Sequence, residues 1–222
     1  MTLKPVATIE NDFATKFGLP RQSGLGDRLI SHVILNREFA REDCLRGIDE
    51  FSHLWLIWGF DVPRTEKVTV RPPRLGGNEK RGIFATRSPF RPNPLGLSVV
   101  KLESVHIDRG SAYLTVSGAD MKNGSLVYDI KPYLPYADAV ENASGGFAQA
   151  HAGDRLKVCI PEELRKQLPP EKLEPLCQAL SLDPRPPYQC DPMRIYGFLY
   201  AGRDVRFRVK DNILTVTEIV EV

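Results

Sequence analysis

Eighteen prolines and seventeen glycines are spread along the whole 222-residue chain rather than gathered in one linker. Proline fixes φ and withholds a backbone N–H, and glycine weakens any regular element it interrupts. Such a chain has little room for long helices. Between the breakers lie short runs rich in β-branched and aromatic residues, some alternating apolar with polar, as at Leu114, Thr115, Val116 and Ser117. This pattern predicts strands over 6–9, 29–35, 54–60, 67–70, 82–85, 98–107, 113–117 and 127–131, with a short helix over 38–46. Eight short strands separated by turn signals predict an all-β barrel or sandwich.

The character changes after residue 136. The stretch 137–153 contains Gly145-Gly146 and has no clear period, so it reads as a linker or a surface excursion. A strand over 156–160, helices over 161–167 and 170–182, and strands over 194–200, 205–209 and 214–220 follow. In the second helix the apolar positions 173, 176, 177 and 180 repeat near 3.6 residues. Gly202-Arg203-Asp204 and Asp211-Asn212 read as hairpin turns. The expected organisation is a mainly β chain. A barrel domain occupies 1–140, a connecting segment 141–153 and a small α+β domain 154–222.

Several function classes find no support. The longest apolar run, residues 54–60, is far short of the roughly 20 residues a membrane helix needs. The opening Met1-Thr2-Leu3-Lys4-Pro5-Val6 lacks the apolar stretch of a signal peptide. A cytoplasmic protein with no membrane partner is therefore expected. The cysteines (44, 159, 177, 190) and histidines (32, 53, 106, 151) are scattered without metal-ligand spacing, so no metal is expected. Gly24-Leu25-Gly26 has two glycines of a dinucleotide fingerprint. Leu29 stands where the third should be, no strand precedes the motif and no helix follows, which argues against a Rossmann site. Neither a phosphate-loop Gly-Lys-Ser/Thr nor a Gly-x-Ser-x-Gly elbow occurs.

Charge is more informative. The whole chain carries a net +2, yet residues 71–101 hold Arg71, Arg74, Lys80, Arg81, Arg87, Arg91 and Lys101 against Glu79 alone. One concentrated basic segment on a near-neutral chain points to a local anionic partner. Three segments within and around it do not read as scaffold. The first is Pro20-Arg21-Gln22-Ser23-Gly24. The second runs from Arg71 to Gly96 and includes Thr86-Arg87-Ser88-Pro89-Phe90-Arg91-Pro92-Asn93-Pro94. Its prolines pre-organise a loop whose arginines suit carboxylate or phosphate, and Asn93 can meet a base edge. Arg87 is the expected ligand anchor. Phe84, in a predicted strand, is expected in the core, and Phe90 in solvent. The third segment is Asp120-Met121-Lys122-Asn123-Gly124-Ser125, a tight turn whose backbone groups could clasp an adenine, leading to Asp129-Ile130-Lys131-Pro132-Tyr133.

These residues resemble the TsaA-like (YaeB/TrmO) family of S-adenosylmethionine-dependent tRNA methyltransferases. The resemblance is carried in family order by Pro20-Arg21-Gln22, Phe51-Ser52-His53-Leu54-Trp55, Arg71-Pro72-Pro73-Arg74-Leu75, residues 84–89 and 91–96, Asp129-Ile130-Lys131-Pro132-Tyr133 and Asp183-Pro184-Arg185-Pro186. It covers nearly the whole chain. It implies a non-Rossmann β-barrel methyltransferase domain with a small α+β C-terminal domain, acting as a homodimer on the anticodon stem-loop of tRNA. The implied reaction is methylation of N6 of threonylcarbamoyladenosine at position 37. The implied contacts to S-adenosylmethionine are Pro20, Arg21, Gln22, Asp61, Arg87, Leu97, Lys122, Asn123, Gly124 and Ser125. The family often carries His where this chain has Asp61. Expected tRNA contacts are Arg74, Arg91, Asn93, Lys131, Tyr133, Arg185 and Tyr188. Attack by N6 is easier when an acceptor takes its proton, and Asp129 is the first expected acceptor with Asp120 the second. Two other classes compete: a non-catalytic RNA- or nucleotide-binding barrel, and a small-molecule enzyme whose basic loop grips an acidic substrate.

Overall fold

Alternation along the strands decides the architecture. In β1 (Ala7–Glu10) and β2 (Ile30–Leu35), Ala7, Ile9, Val33 and Leu35 turn to one buried side. A short α1 (Glu42–Leu45) precedes β3 (His53–Gly59), which buries Leu54, Leu56 and Trp58 and turns the intervening residues outward. A two-stranded ribbon follows, β4 (Thr69–Val70) with β5 (Arg81–Gly82). Then come β6 (Leu95–Asp108), β7 (Ser111–Ser117) and β8 (Leu126–Pro132). The six longer strands close into an antiparallel barrel in the order β1-β2-β7-β6-β3-β8. Closure removes unpaired edges and leaves an interior filled by side chains. The structure is a computed structural model that describes residues 2–222 except 73, 74, 76, 77, 152, 187, 188 and 190, and the backbone alone at 150 and 151.

After α2 (Pro135–Asp138), the second unit comprises β9 (Lys157–Cys159), α3 (Glu162–Arg165), α4 (Pro170–Ser181), β10 (Tyr196–Tyr200), β11 (Arg203–Lys210) and β12 (Ile213–Glu221). Its sheet runs β10-β11-β12-β9, with β9 parallel to β12. The apolar stripe of α4 buries Leu176, Ala179 and Leu180 against it. Both expected hairpins form; the first turns at Ala201-Gly202, one residue before the expected 202–204, with Arg203 and Asp204 already in β11, and the second at Asp211-Asn212, and these turn residues take the positive φ that tight turns require.

Three expectations are corrected. The helix over 38–46 is only the turn Glu42–Leu45. Asn36 accepts from Phe39 and Ala40 in a tight loop before it, and Gly47 at φ 79° ends it. The strand over 82–85 stops at Gly82. Thr86 donates through Oγ1 and its N–H to the Ile83 carbonyl, which curls Ile83–Ala85 into a 3-10 turn. Phe84 is consequently 84% exposed, not core, whereas Phe90 is exposed as expected. The stretch 137–153 holds a 3-10 turn, Gly146–His151, and Asp138 accepts from the Trp55 indole and the Leu134 N–H.

The connection between β1 and β2 packs on the second unit. Phe13 and Leu29 are buried in the core of the second unit, with Phe17 and Leu19 packed against it. Phe13 forms a bridge with Tyr200, and Lys172 pairs with Asp12 at 2.6 Å. Gly18, at φ 96°, lies under the Phe198 ring, where a Cβ would meet it at 2.4 Å. This loop belongs to the barrel by sequence and to the C-terminal core by packing. Among the described residues, no helix is long and apolar enough to cross a membrane.

Candidate functional site

Antiparallel closure brings the ends of β3 and β7 and the starts of β6 and β8 to one end of the barrel. The loop after β1 folds over that end. Between them opens a cleft of ≈ 580 Å³ lined by Lys16, Pro20–Gln22, Trp58, Phe60, Asp61, Arg87, Arg91, Asn93, Leu97, Ser98, Asp120, Lys122 and Ser125, among others. That volume falls inside the roughly 300–1,000 Å³ range of small-molecule and cofactor sites.

The inner wall is polar where the strand pattern would put apolar groups. Trp58 points into the barrel, and its buried indole N–H must find an acceptor. Ser98, at an inward position of β6, supplies it at 2.9 Å. The Ser98 hydroxyl then donates to Asp120 Oδ1 at 2.5 Å. Gly96 stands opposite Trp58 in the β3–β6 ladder, and a Cβ there would lie 2.3 Å from the indole. Only glycine leaves the ring room to reach Ser98. Burial pushes the Asp120 carboxyl above the usual range, against the Ser98 hydroxyl, the backbone N–H groups of Asp120 and Ser23, and the nearby Arg87 charge.

The opposite wall is charged. Lys122 pairs with Asp61 at 3.0 Å, which holds the Asp61 carboxyl below the usual range. The Lys16 ammonium lies 5.5 Å from the Phe60 ring centroid. Desolvation and then Lys122 draw its pKa down, against the pull of Asp61. Phe60 packs on Trp58 with centroids 4.2 Å apart, so an aromatic floor joins the two walls. At the rim, Arg87 donates to Gln22 Oε1 at 2.6 Å, and Gln22 Nε2 donates to the Arg21 carbonyl. Arg91 donates to the Thr86 carbonyl at 3.1 Å, which fixes the proline-rich loop beside the cleft.

The cleft therefore gathers Pro20, Arg21, Gln22, Asp61, Arg87, Leu97, Lys122, Ser125, Arg91, Asn93 and Asp120. Other expected residues lie elsewhere. Asn123 and Gly124 shape the turn behind it, and their N–H groups are taken by the Phe13 and Ile9 carbonyls while that of Ser125 goes to Lys122. These bonds tie the turn to β1 and to the loop that follows it. Asp129 pairs with Lys131 at 3.0 Å on the outer face of β8 and does not line the cleft of its own chain. Tyr133 lies on that outer face against His53 and Trp55. Arg185 pairs with Asp183 at 2.8 Å within its own bend, with its side chain 16% exposed. Arg21 reaches over to the Asp183 and Arg185 carbonyls and ties the cleft loop to that bend. Arg74 and Tyr188 lie outside the described residues.

Sequence reasoning missed Lys16, Trp58, Phe60 and Ser98. For Ser98 a signal existed, a hydroxyl on the inward parity between Gly96 and Val100. Lys16 sits in a stretch without period and had none. The Gly24 motif is structural: at φ 76°, Gly24 donates to the Gly118 carbonyl where the two backbones approach closely.

Residues 8–139 match the family model described as tRNA-methyltransferase O N-terminal domain, and residues 154–222 that of the TrmO C-terminal domain. An Escherichia coli (strain K12) protein named tRNA (adenine(37)-N6)-methyltransferase is 38% identical over 216 residues, which is 93% of this chain and 92% of the relative. An Archaeoglobus fulgidus protein named S-adenosyl-L-methionine-binding protein is 38% identical over 145 residues, 65% of this chain and 98% of its own length. A crystal structure of TrmO from Pseudomonas aeruginosa superposes with a TM-score of 0.77 at 31% identity, covering 99% of this chain and 98% of that one.

Proposed function

Since the chain belongs to the tRNA-methyltransferase O family, we propose that it transfers a methyl group from S-adenosylmethionine to N6 of the adenosine at position 37 of tRNA. The acceptor is taken to be threonylcarbamoyladenosine in an anticodon stem-loop, and the setting the cytoplasm. The observation that carries this reading is a cofactor-sized cleft with a half-buried carboxylate at its inner wall and a basic loop at its mouth.

The residues present suit the donor. Asp61 offers a carboxylate to an amino-acid ammonium, and Lys16 and Lys122 offer ammonium groups to its carboxylate. Gln22, Arg87 and Ser125 supply polar contacts, and Trp58 and Phe60 an apolar floor. When bound, the donor supplies an activated methyl sulfonium. The chain's work is to orient the acceptor nitrogen in line with the methyl group, exclude water and receive a proton. We take Asp120, which lines the cleft beside Ser98, as the carboxylate for that last task. Arg87, Arg91 and Asn93 stand at the mouth, where loop bases and phosphates are met by stacking, edge contacts and cations. The exposed rings of Phe84 and Phe90 add stacking faces beside them.

The outer face of β3 and β6 exposes Leu95 and Leu97, with Leu97 at 56%. We assign this face to a homodimer contact, which would carry Asp129, on the neighbouring β8, toward the second copy. Sedimentation equilibrium showing a single 24.9 kDa chain at assay concentration would remove the dimer. The function itself is tested by mass spectrometry of tRNA nucleosides from cells with and without the gene. Loss of one methyl group from the position-37 nucleoside on deletion is expected, and an unchanged nucleoside profile would refute the proposal.

A further inference from the structure

Asp120 lies half-buried at the inner wall of the cleft, and two further groups govern how its carboxylate is presented. The Trp58 indole has a single hydrogen to donate, and it goes to Ser98 Oγ at 2.9 Å. This hydrogen bond occupies an acceptor site of the hydroxyl. The hydroxyl proton is then directed to Asp120 Oδ1, 2.5 Å away. Trp58 is itself locked: it is 4% exposed, packed on Phe60, and has Gly96 beneath it. The chain of donors runs in one direction, from a rigid indole to a carboxylate at the cleft wall. An ordinary core strand would carry an apolar residue at 98. A buried serine there has no packing purpose that alanine would not serve.

We propose that Ser98 is a positioning residue for the methyl transfer: held by Trp58, it fixes the orientation of Asp120 and keeps that carboxylate ready to accept the N6 proton. The inference rests on the methyltransferase reading. In the step, the N6 lone pair forms the new bond to the methyl carbon. The carbon–sulfur bond breaks and its electron pair stays on sulfur. The N6 proton passes to Asp120. The donated hydrogen bond from Ser98 favours the charged carboxylate and opposes the effect of burial. Among the described residues, Arg87, from the loop after β5, is the charged group felt at Asp120, and it acts in the same direction as Ser98.

The test is the pH dependence of the single-turnover methylation rate on tRNA, with donor binding followed separately by calorimetry using S-adenosylhomocysteine. Ser98→Ala should shift the acid limb of the profile to higher pH, because the carboxylate loses a donor that stabilised its charge. It should also lower the neutral-pH rate about tenfold, a fraction of the full effect of acid–base catalysis. S-adenosylhomocysteine affinity should stay within about twofold. Trp58→Phe should shift the limb the same way by less, and Ser98→Thr, which restores a hydroxyl, should return it toward wild type. An acid limb unmoved in Ser98→Ala would overturn the proposal. So would equal displacement in Ser98→Ala and Ser98→Thr, each folded by thermal melting. A wild-type protein that methylates no tRNA would instead sink the functional reading on which this one stands.

Discussion

At Asp120, burial opposes the charged carboxylate and outweighs the hydrogen bonds and the Arg87 charge that favour it. A folded-state pKa above the ordinary 3.8 means that the folded chain holds this proton to higher pH than the unfolded chain does. Stability from this group therefore falls as pH rises through that window and stays lower above it. Asp120→Asn should be more stable than wild type at neutral pH, with the gain shrinking as the pH is lowered toward the unfolded aspartate's pKa. Thermal melts across pH check the sign, and a constant offset would contradict it. Gly96 meets a steric constraint of a different kind. A methyl group there overlaps the Trp58 indole, so Gly96→Ala should cost about 1–3 kcal/mol of stability and alter tryptophan fluorescence, measurable by denaturant titration. The need for an acceptor at Trp58 was readable in the chain, because a tryptophan on the inward parity of a strand must place its N–H. That the acceptor is Ser98, and that Ser98 leads to Asp120, depends on strand pairing between β3 and β6.

The loop between β1 and β2 is the element least apparent in the chain, since its residues follow no strand or helix period. Its apolar side chains belong to a core more than a hundred residues away in sequence. Phe13 lies 5.2 Å from Tyr200 and stacks parallel to Phe198 at 6.4 Å. Phe13→Ala should cost about 3–5 kcal/mol by opening a cavity. It should also weaken S-adenosylhomocysteine binding, because Lys16, Pro20 and Gln22 follow on the same loop. Chemical denaturation and calorimetry measure the two effects, and stability loss without loss of affinity would show that the loop holds its cleft residues independently of the second core. The proline-rich loop 86–94 was more legible. Its stiffness and exposed arginines follow from proline chemistry, whereas the 3-10 turn that ejects Phe84 arises from Thr86 bonding back to Ile83.

For the molecule as a whole, one concentrated basic segment stands out on a near-neutral chain, so tRNA affinity should fall linearly with salt on logarithmic axes. Arg71→Ala and Lys80→Ala should each reduce that slope by up to about 1 and weaken different tRNAs alike. Filter binding across salt concentrations tests this, and an unchanged slope would place these cations away from the phosphates. Much at this scale could be read from residue order. Breakers and alternation determine short strands, the apolar period of 170–182 determines α4, and the concentration of cations after residue 70 determines one strongly basic segment. These are local properties, carried by neighbours in the chain. The tertiary structure alone decided which of two aspartates faces the cleft and that the loop after β1 is shared between two cores. Each of those outcomes depends on the register and closure of strands far apart in sequence. A one-residue shift in register would turn a side chain from the cleft to the opposite face.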